Sequence, residues 1–343
     1  MKKNFITLLK VLSIFLVILI HSISRAWDQM NVNSFIFKAF TFIDVVARIG
    51  VPIFLMCSGN IFLNRDDKPS KIIFKYILKI YLIFILFNMI YKIIDVYMYK
   101  DGTLSLSLFI LFIKNSLLLQ GVYHLWYLKV VIITYLFIPI FKLFTNKNNL
   151  IIDTTVLIIL LIYFLSPIVI KNPSYNLFII HNGYILYFYL GYYLYKYKNK
   201  LITLIMIPSG MYGFIYTYIK TIKLSQSLGH GNELYLNYNR FNILLMAILI
   251  FTLFSYLEDI IKNKKYMKVV NFLAKYNFTI YLVHGLVIGA LQYLKIINIT
   301  KYTSLIYLFI NMLIIYICSF ITAYILLFIK DEFKKIFKVK KLT

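Results

Sequence analysis

The stretch Lys10-Val-Leu-Ser-Ile-Phe-Leu-Val-Ile-Leu-Ile-His21 sets two ionisable side chains eleven residues apart inside one apolar run. Wound as a helix at 100° per residue, eleven steps end about 20° past three full turns. Lys10 and His21 therefore project from one face, roughly 16 Å apart along the axis. The run belongs to an apolar segment of the length needed to cross a hydrocarbon core ~30 Å thick. Ionisable groups are costly there, so two on one stripe predict a span whose stripe faces a polar interior and marks a functional site.

The rest of the chain agrees with a membrane setting. Of its 343 residues, 62% are hydrophobic and only 14% charged, and the mean hydropathy is +0.81. These values lie far outside the range of a soluble domain. Apolar runs recur along the whole length, so the fold class expected is an all-α polytopic membrane protein in which residues 1–343 form a single transmembrane domain. Ten helices are predicted, at about 5–24, 42–63, 72–94, 124–144, 150–170, 178–195, 201–219, 240–258, 270–293 and 304–329. The apolar segment 104–120, interrupted by Lys114 and Asn115, reads as an outer amphipathic or re-entrant helix, because counting it as a span would invert every later loop.

The net charge of +25 raises the question of a nucleic-acid partner. Nucleic-acid binding would need the cations gathered on one exposed face. Here they sit in short clusters between apolar runs. Loops assigned to one side carry about 19 Lys and Arg, from Lys2 and Lys3 through Arg65, Lys68 and Lys71 to the six between Lys330 and Lys341. Loops on the other side carry about nine, from Arg25 to Lys301. Positive-inside bias then places both termini in the cytoplasm. Cys57 and Cys318 fall within predicted spans and form neither a disulfide framework nor a metal motif, so no metal is expected. The first run resembles a signal peptide in having Lys2 and Lys3 ahead of it, but the histidine near its end and the many later spans favour an uncleaved helix.

Polar residues inside the other spans are the remaining candidates. The second helix carries Asp44 and Arg48 at i,i+4 spacing, near the depth of His21, followed by Pro52, Ser58 and Gly59. Pro52 frees a carbonyl and Gly59 permits close helix approach, which predicts a bent helix lining a cavity. A plain interfacial ion pair explains Asp44 and Arg48 equally well. His124-Leu125-Trp126-Tyr127-Leu128 opens the fourth helix; an aromatic belt explains Trp126 and Tyr127 but not His124. The ninth helix carries Asn277-Phe278-Thr279-Ile280-Tyr281-Leu282-Val283-His284, while His181 and His230 lie in loops and read as incidental. The loop Asn64-Arg65-Asp66-Asp67-Lys68 offers cations to an anion arriving from the cytoplasm, as any positive-inside loop does.

Together these stretches resemble the acyltransferase-3 family of integral membrane acyltransferases, which commonly O-acetylate bacterial surface polysaccharides. Lys10 and His21 fit the family's pattern of a basic residue, ten intervening residues and a histidine, with lysine where arginine is commoner. Val51-Pro52-Ile53-Phe54 with Ser58-Gly59 looks like its second-helix signature. His124-Leu125-Trp126-Tyr127-Leu128 is similar to its "HLWFL" element, and Ile280-Tyr281-Leu282-Val283-His284 to its "IYLxH" element. Thr7 stands where many members have an acid, and Arg65-x-x-Lys68 where they have Arg-x-x-Arg.

The resemblance implies an enzyme of the bacterial cell membrane that transfers an acyl group from a cytoplasmic acyl-CoA, with acetyl-CoA the expected donor. The acceptor is a hydroxyl of a surface glycan or lipid-linked glycan, and no bound cofactor is expected. On this reading His21 is catalytic, as general base or as acyl carrier, and Asp44 holds its tautomer. Lys10, Arg65 and Lys68 meet the donor's phosphates. Arg48, Ser58, His124, Trp126, Tyr281 and His284 line the cavity on the acceptor side. The competing reading is a transporter or exporter of a polysaccharide or lipid-linked sugar, which the scarcity of acidic residues, 12 in all, counts against.

Overall fold

The computed structural model describes residues 3–99, 102–121, 123–170, 183–262, 265–300 and 304–339; the predicted turn Lys171-Asn172-Pro173 and His181 lie outside them. Each predicted span that falls on described residues is helical, and no strand occurs among them. In chain order the helices are α1 (Asn4–Trp27), α2 (Phe35–Ala47), α3 (Gly50–Leu63), α4 (Leu78–Tyr99), α5 (Leu106–Leu117), α6 (Trp126–Leu136), α7 (Ile138–Thr145) and α8 (Leu150–Leu165). They continue with α9 (Tyr184–Lys196), α10 (Lys200–Leu228), α11 (Phe241–Tyr256), α12 (Glu258–Lys262), α13 (Met267–Leu273), α14 (Asn277–Tyr293) and α15 (Leu305–Val339).

Six segments are long and apolar enough to cross a membrane: Asn4–Trp27, Phe35–Leu63, Pro69–Met98, Lys200–Leu228, Leu234–Tyr256 and Leu305–Glu332. A seventh is added if α6 and α7, bent by 42° at Phe137, count as one. At 16, 13 and 17 residues, α8, α9 and α14 fall short of the ~20 that a straight crossing needs. The ten expected positions thus hold six or seven helices of spanning length, with shorter ones at the other three. α5, at 12 residues, is too short to cross and leaves Leu106, Ile110 and Leu117 exposed. That fits the amphipathic helix expected there. α4 holds it through Asn88, whose Nδ2 donates to Ser116 Oγ at 2.7 Å and to the Gln120 carbonyl at 3.2 Å.

Burial separates interior from peripheral helices. In α1, 72% of the most apolar window is buried, against 17% in Pro69–Met98. A helix so enclosed presents its polar stripe to protein, as the Lys10 and His21 spacing predicts. The second span is interrupted at Arg48 and Ile49, between α2 and α3; Arg48 stands four residues before Pro52 and is the residue whose carbonyl that proline leaves free. Pro52 is the third residue of α3, in the first turn, where a missing N–H costs no helical bond.

The described chain divides into two compact units. The first, Met1–Gly50, Thr221–Asn232 and Ile260–Thr343, packs α1 against α2, α13, α14 and α15. Trp27 closes the end of α1: its indole Nε1 donates to Thr41 Oγ1 at 2.9 Å and its ring stacks on Phe37 at 5.2 Å. Ser34 caps α2 by accepting from the Phe37 N–H at 3.1 Å.

The second unit, Val51–Lys220 and Glu233–Asp259, is built around two close contacts. α3 and α9 cross with backbones touching: a Cβ on Gly59 would lie 1.7 Å from the Phe188 carbonyl oxygen, and one on Gly191 1.9 Å from that of Met56. The close approach expected of Gly59 is therefore present, and Asn60 Nδ2 seals it by donating to the Gly191 carbonyl at 3.0 Å. α8 is held to α9 by Asp153, which is fully buried. Its carboxylate accepts from Lys196 Nζ at 2.8 Å, Tyr197 at 2.7 Å, Tyr192 at 3.2 Å and Tyr189 at 3.3 Å. Asp153→Ala would strip the largely buried Lys196 ammonium of its counter-charge and Tyr192 and Tyr197 of the carboxylate they donate to, leaving Lys196 the Tyr192 hydroxyl and Tyr189 the main-chain carbonyl of residue 153, so a loss of about 3–5 kcal/mol is expected. Asp153→Asn should lose less. Thermal unfolding in detergent, followed by the monodisperse fraction, checks this, and an unchanged midpoint for Asp153→Ala would contradict it.

Candidate functional site

Within the first unit, α1 and α14 bring two histidines face to face. The His21 and His284 rings lie 5.1 Å apart between centroids, inclined at 41°. His284 is fully buried and His21 partly exposed. Four residues beyond His21, Arg25 donates to Gln292 Oε1 at 3.1 Å. Both contacts advance in the same direction along both helices, so α1 and α14 run parallel. Lys10, also partly exposed, sits three turns back toward the start of α1, with Ile14 and Val17 buried between.

His284 is fixed in tautomer as well as in place. Its Nδ1 lies 2.6 Å from the Tyr281 carbonyl oxygen. A carbonyl only accepts, so Nδ1 carries the hydrogen and the neutral ring has its lone pair on Nε2. Tyr281 supplies that carbonyl from one turn back, and its own ring stands 5.8 Å from the imidazole.

Asp44 and Arg48 form a buried, two-pronged pair. Arg48 Nε donates to Asp44 Oδ1 at 3.1 Å and a terminal nitrogen to Oδ2 at 3.0 Å. The expected i,i+4 spacing brings them together at the last turn of α2. Both carboxylate oxygens of Asp44 are thus engaged by the guanidinium.

Asn277 belongs to the same helix face and had no role assigned from sequence. It lies seven residues before His284 on α14, about 20° round and ~10 Å along the axis. It is 5% exposed, and among the described residues neither atom of its amide has a hydrogen-bond partner. The i,i+7 spacing from His284 was the available signal.

The other expected site residues lie in the second unit. Ser58 Oγ donates to the Phe54 carbonyl at 3.0 Å. His124 is buried against Tyr91, with centroids 4.3 Å apart. Trp126 packs among Tyr184 and Tyr238 at 5.5 and 5.8 Å, so its ring belongs to an aromatic cluster and not to a belt residue standing alone. Arg65 and Lys68 are exposed on the loop after α3. Arg65 stands over the Phe62 ring at 5.5 Å, and its carbonyl accepts from Lys142. Next to them Lys71 is bound to Asp67, and that hydrogen bond holds the Asp67 carboxyl below the usual carboxylate range.

A family model described as an acyltransferase domain matches residues 3–329. The chain belongs to the acyltransferase-3 family. The match covers nearly every described helix, from α1 to most of α15, and so includes both histidines of the pair. No curated protein and no solved structure matches the chain. The protein is thus a membrane acyltransferase by family and by its apolar helices. Among the described residues, His21 and His284 are two imidazoles brought together, His284 held by the Tyr281 carbonyl.

Proposed function

We propose that the protein transfers an acetyl group from acetyl-CoA, taken from the cytoplasm, to a hydroxyl of a cell-envelope glycan at the bacterial cell membrane. The observation that carries this reading is the His21–His284 contact, placed on the stripe that Lys10 shares. Neutral His21, its ring set against that of His284, carries one unprotonated nitrogen. That nitrogen takes the proton of the acceptor hydroxyl as its oxygen attacks the thioester carbonyl; the carbon–sulfur bond then breaks and the thiolate leaves, taking up the proton as free coenzyme A. We assign His284 a share in orienting the His21 ring, beside the tautomer-holding role expected of Asp44, which also pairs with Arg48. Lys10, Arg65 and Lys68 meet the donor's phosphates in this scheme. Asn277 offers donor and acceptor to an amide of the donor's pantetheine arm.

The transporter reading fares worse, because proton coupling calls for titratable carboxylates along a path. Among the described residues, the two buried carboxylates of the helices, Asp44 and Asp153, are both ion-paired. The test is incubation of the purified protein with [14C]acetyl-CoA and isolated envelope glycan fractions. Label is expected in the glycan together with release of one free thiol per acetyl transferred. Absence of both with every fraction, in a protein that still carries glycan across vesicles, would establish the transporter instead.

A further inference from the structure

The second unit contains a cavity that the reaction above does not use. It has a volume of about 600 Å³, well within the ~300–1,000 Å³ of small-molecule sites. Its walls include Tyr212 and Tyr216 of α10, Tyr235, Asn237 and Asn239 of the connection that follows, and Arg240 at the start of α11. The tyrosines form a continuous run, with Tyr212 to Tyr216 at 5.7 Å and Tyr216 to Tyr235 at 5.8 Å. The Arg240 guanidinium stands over the Tyr235 ring at 6.0 Å.

The wall is braced from behind. Asn242 Nδ2 donates to Thr217 Oγ1 at 2.6 Å and to the Tyr235 carbonyl at 2.8 Å, tying the connection to both helices. Asn237 turns its own carbonyl oxygen to the Asn239 N–H at 2.9 Å, which fixes that side chain's orientation. The opposite ends of α10 and α11 are joined by Lys198 and Glu258 at 3.5 Å. Tyr216 is 16 residues from the start of α10 at Lys200, or ~24 Å along the axis. The cavity therefore lies at the far end of this helix pair from the basic cluster Lys196, Lys198 and Lys200. By positive-inside bias that end faces outward.

The lining selects a chemistry. Aromatic faces accept the C–H faces of a pyranose, and primary amides meet its hydroxyls with donor and acceptor together. No lining side chain among the described residues is acidic, while Arg240 supplies a positive charge. A neutral sugar gains from a carboxylate that accepts its hydroxyl protons; an acidic sugar is repelled by one and is met in bidentate fashion by arginine. We infer that this cavity binds a saccharide segment bearing a carboxylate. The further statement that this segment is part of the acceptor rests on the transferase reading above; the binding itself does not.

The protein in phosphatidylcholine nanodiscs is titrated with trigalacturonate, a hyaluronan tetrasaccharide and an α2,8-linked sialic acid trimer, with maltotriose as the neutral comparison. At least one acidic probe is expected to bind, more tightly than maltotriose. Arg240→Gln should weaken that probe by about 10- to 100-fold. Tyr212→Ala, at a side chain 60% exposed and outside the Asn242 brace, should weaken it while the protein stays monodisperse. The inference is overturned if none of the acidic probes binds, if both variants bind as wild type does, or if phosphatidylglycerol in the disc displaces the probe, which would make this an anionic lipid site. Binding without acetyl transfer leaves the cavity assignment standing and removes the transferase reading. Transfer to glycan without binding does the reverse.

Discussion

His21→Ala is expected to lower acetyl transfer by about 10²- to 10⁴-fold, the contribution of a positioned proton acceptor, while the protein remains folded. What disappears is the nitrogen that takes the hydroxyl proton. His284→Ala should also lose rate, since it removes the ring set 5.1 Å from His21. The double variant should be little worse than His21→Ala alone, because His284 acts through His21 and effects within one unit are not additive. Initial rates of glycan labelling, measured at matched amounts of monodisperse protein, decide the matter. Retention of wild-type rate by His21→Ala would end the catalytic assignment. A double variant showing the product of the two single losses would end the orienting role of His284.

Gly59→Ala is expected to have the largest effect on the fold. A Cβ at this position would overlap the Phe188 carbonyl oxygen at 1.7 Å, and the atom in the way is backbone. No rotamer relieves the clash, so α3 and α9 must separate. Separation also lengthens the Asn60 bond to the Gly191 carbonyl and exposes the seam that these helices bury. Overpacking typically costs ~1–3 kcal/mol when side chains can shift; with two backbones in contact the cost should reach or exceed the upper figure. Gly191→Ala meets the Met56 carbonyl from the other side and should behave alike. Membrane-extracted yield and thermal midpoint are the measurements, and a wild-type midpoint for either variant would show that the helices do not cross at these glycines.

Much of this was legible in the chain because it depends on local spacing. The periodicity of α1 placed Lys10 and His21 on one face, and the i,i+4 spacing of Asp44 and Arg48 predicted their pairing. The small side chain at Gly59 foretold a close crossing, although its partner Gly191 stands 132 residues away and nothing local names it. The break in the second span lies at Arg48, whose carbonyl Pro52 leaves without its helical donor, so the proline announced it. The neighbours of Trp126, Tyr184 and Tyr238, are supplied only by the tertiary structure. Asp153 gave no sign of its importance, since its partners lie 36 to 44 residues further along on the next helix. The histidine pair was half legible: each ring was singled out, but their meeting depends on the parallel packing of α1 and α14.

That packing joins residues separated by 263 positions of chain, His21 and His284. At ~5–20 residues per second, a ribosome needs about 13–50 s to supply the second ring after the first. Throughout that interval α1 carries Lys10 and His21 in the membrane without the partner helix that completes their unit. An imidazole waiting so long in lipid depends on water, headgroups or the insertion machinery for its solvation. The last third of the chain thus governs when the first helix reaches its final environment.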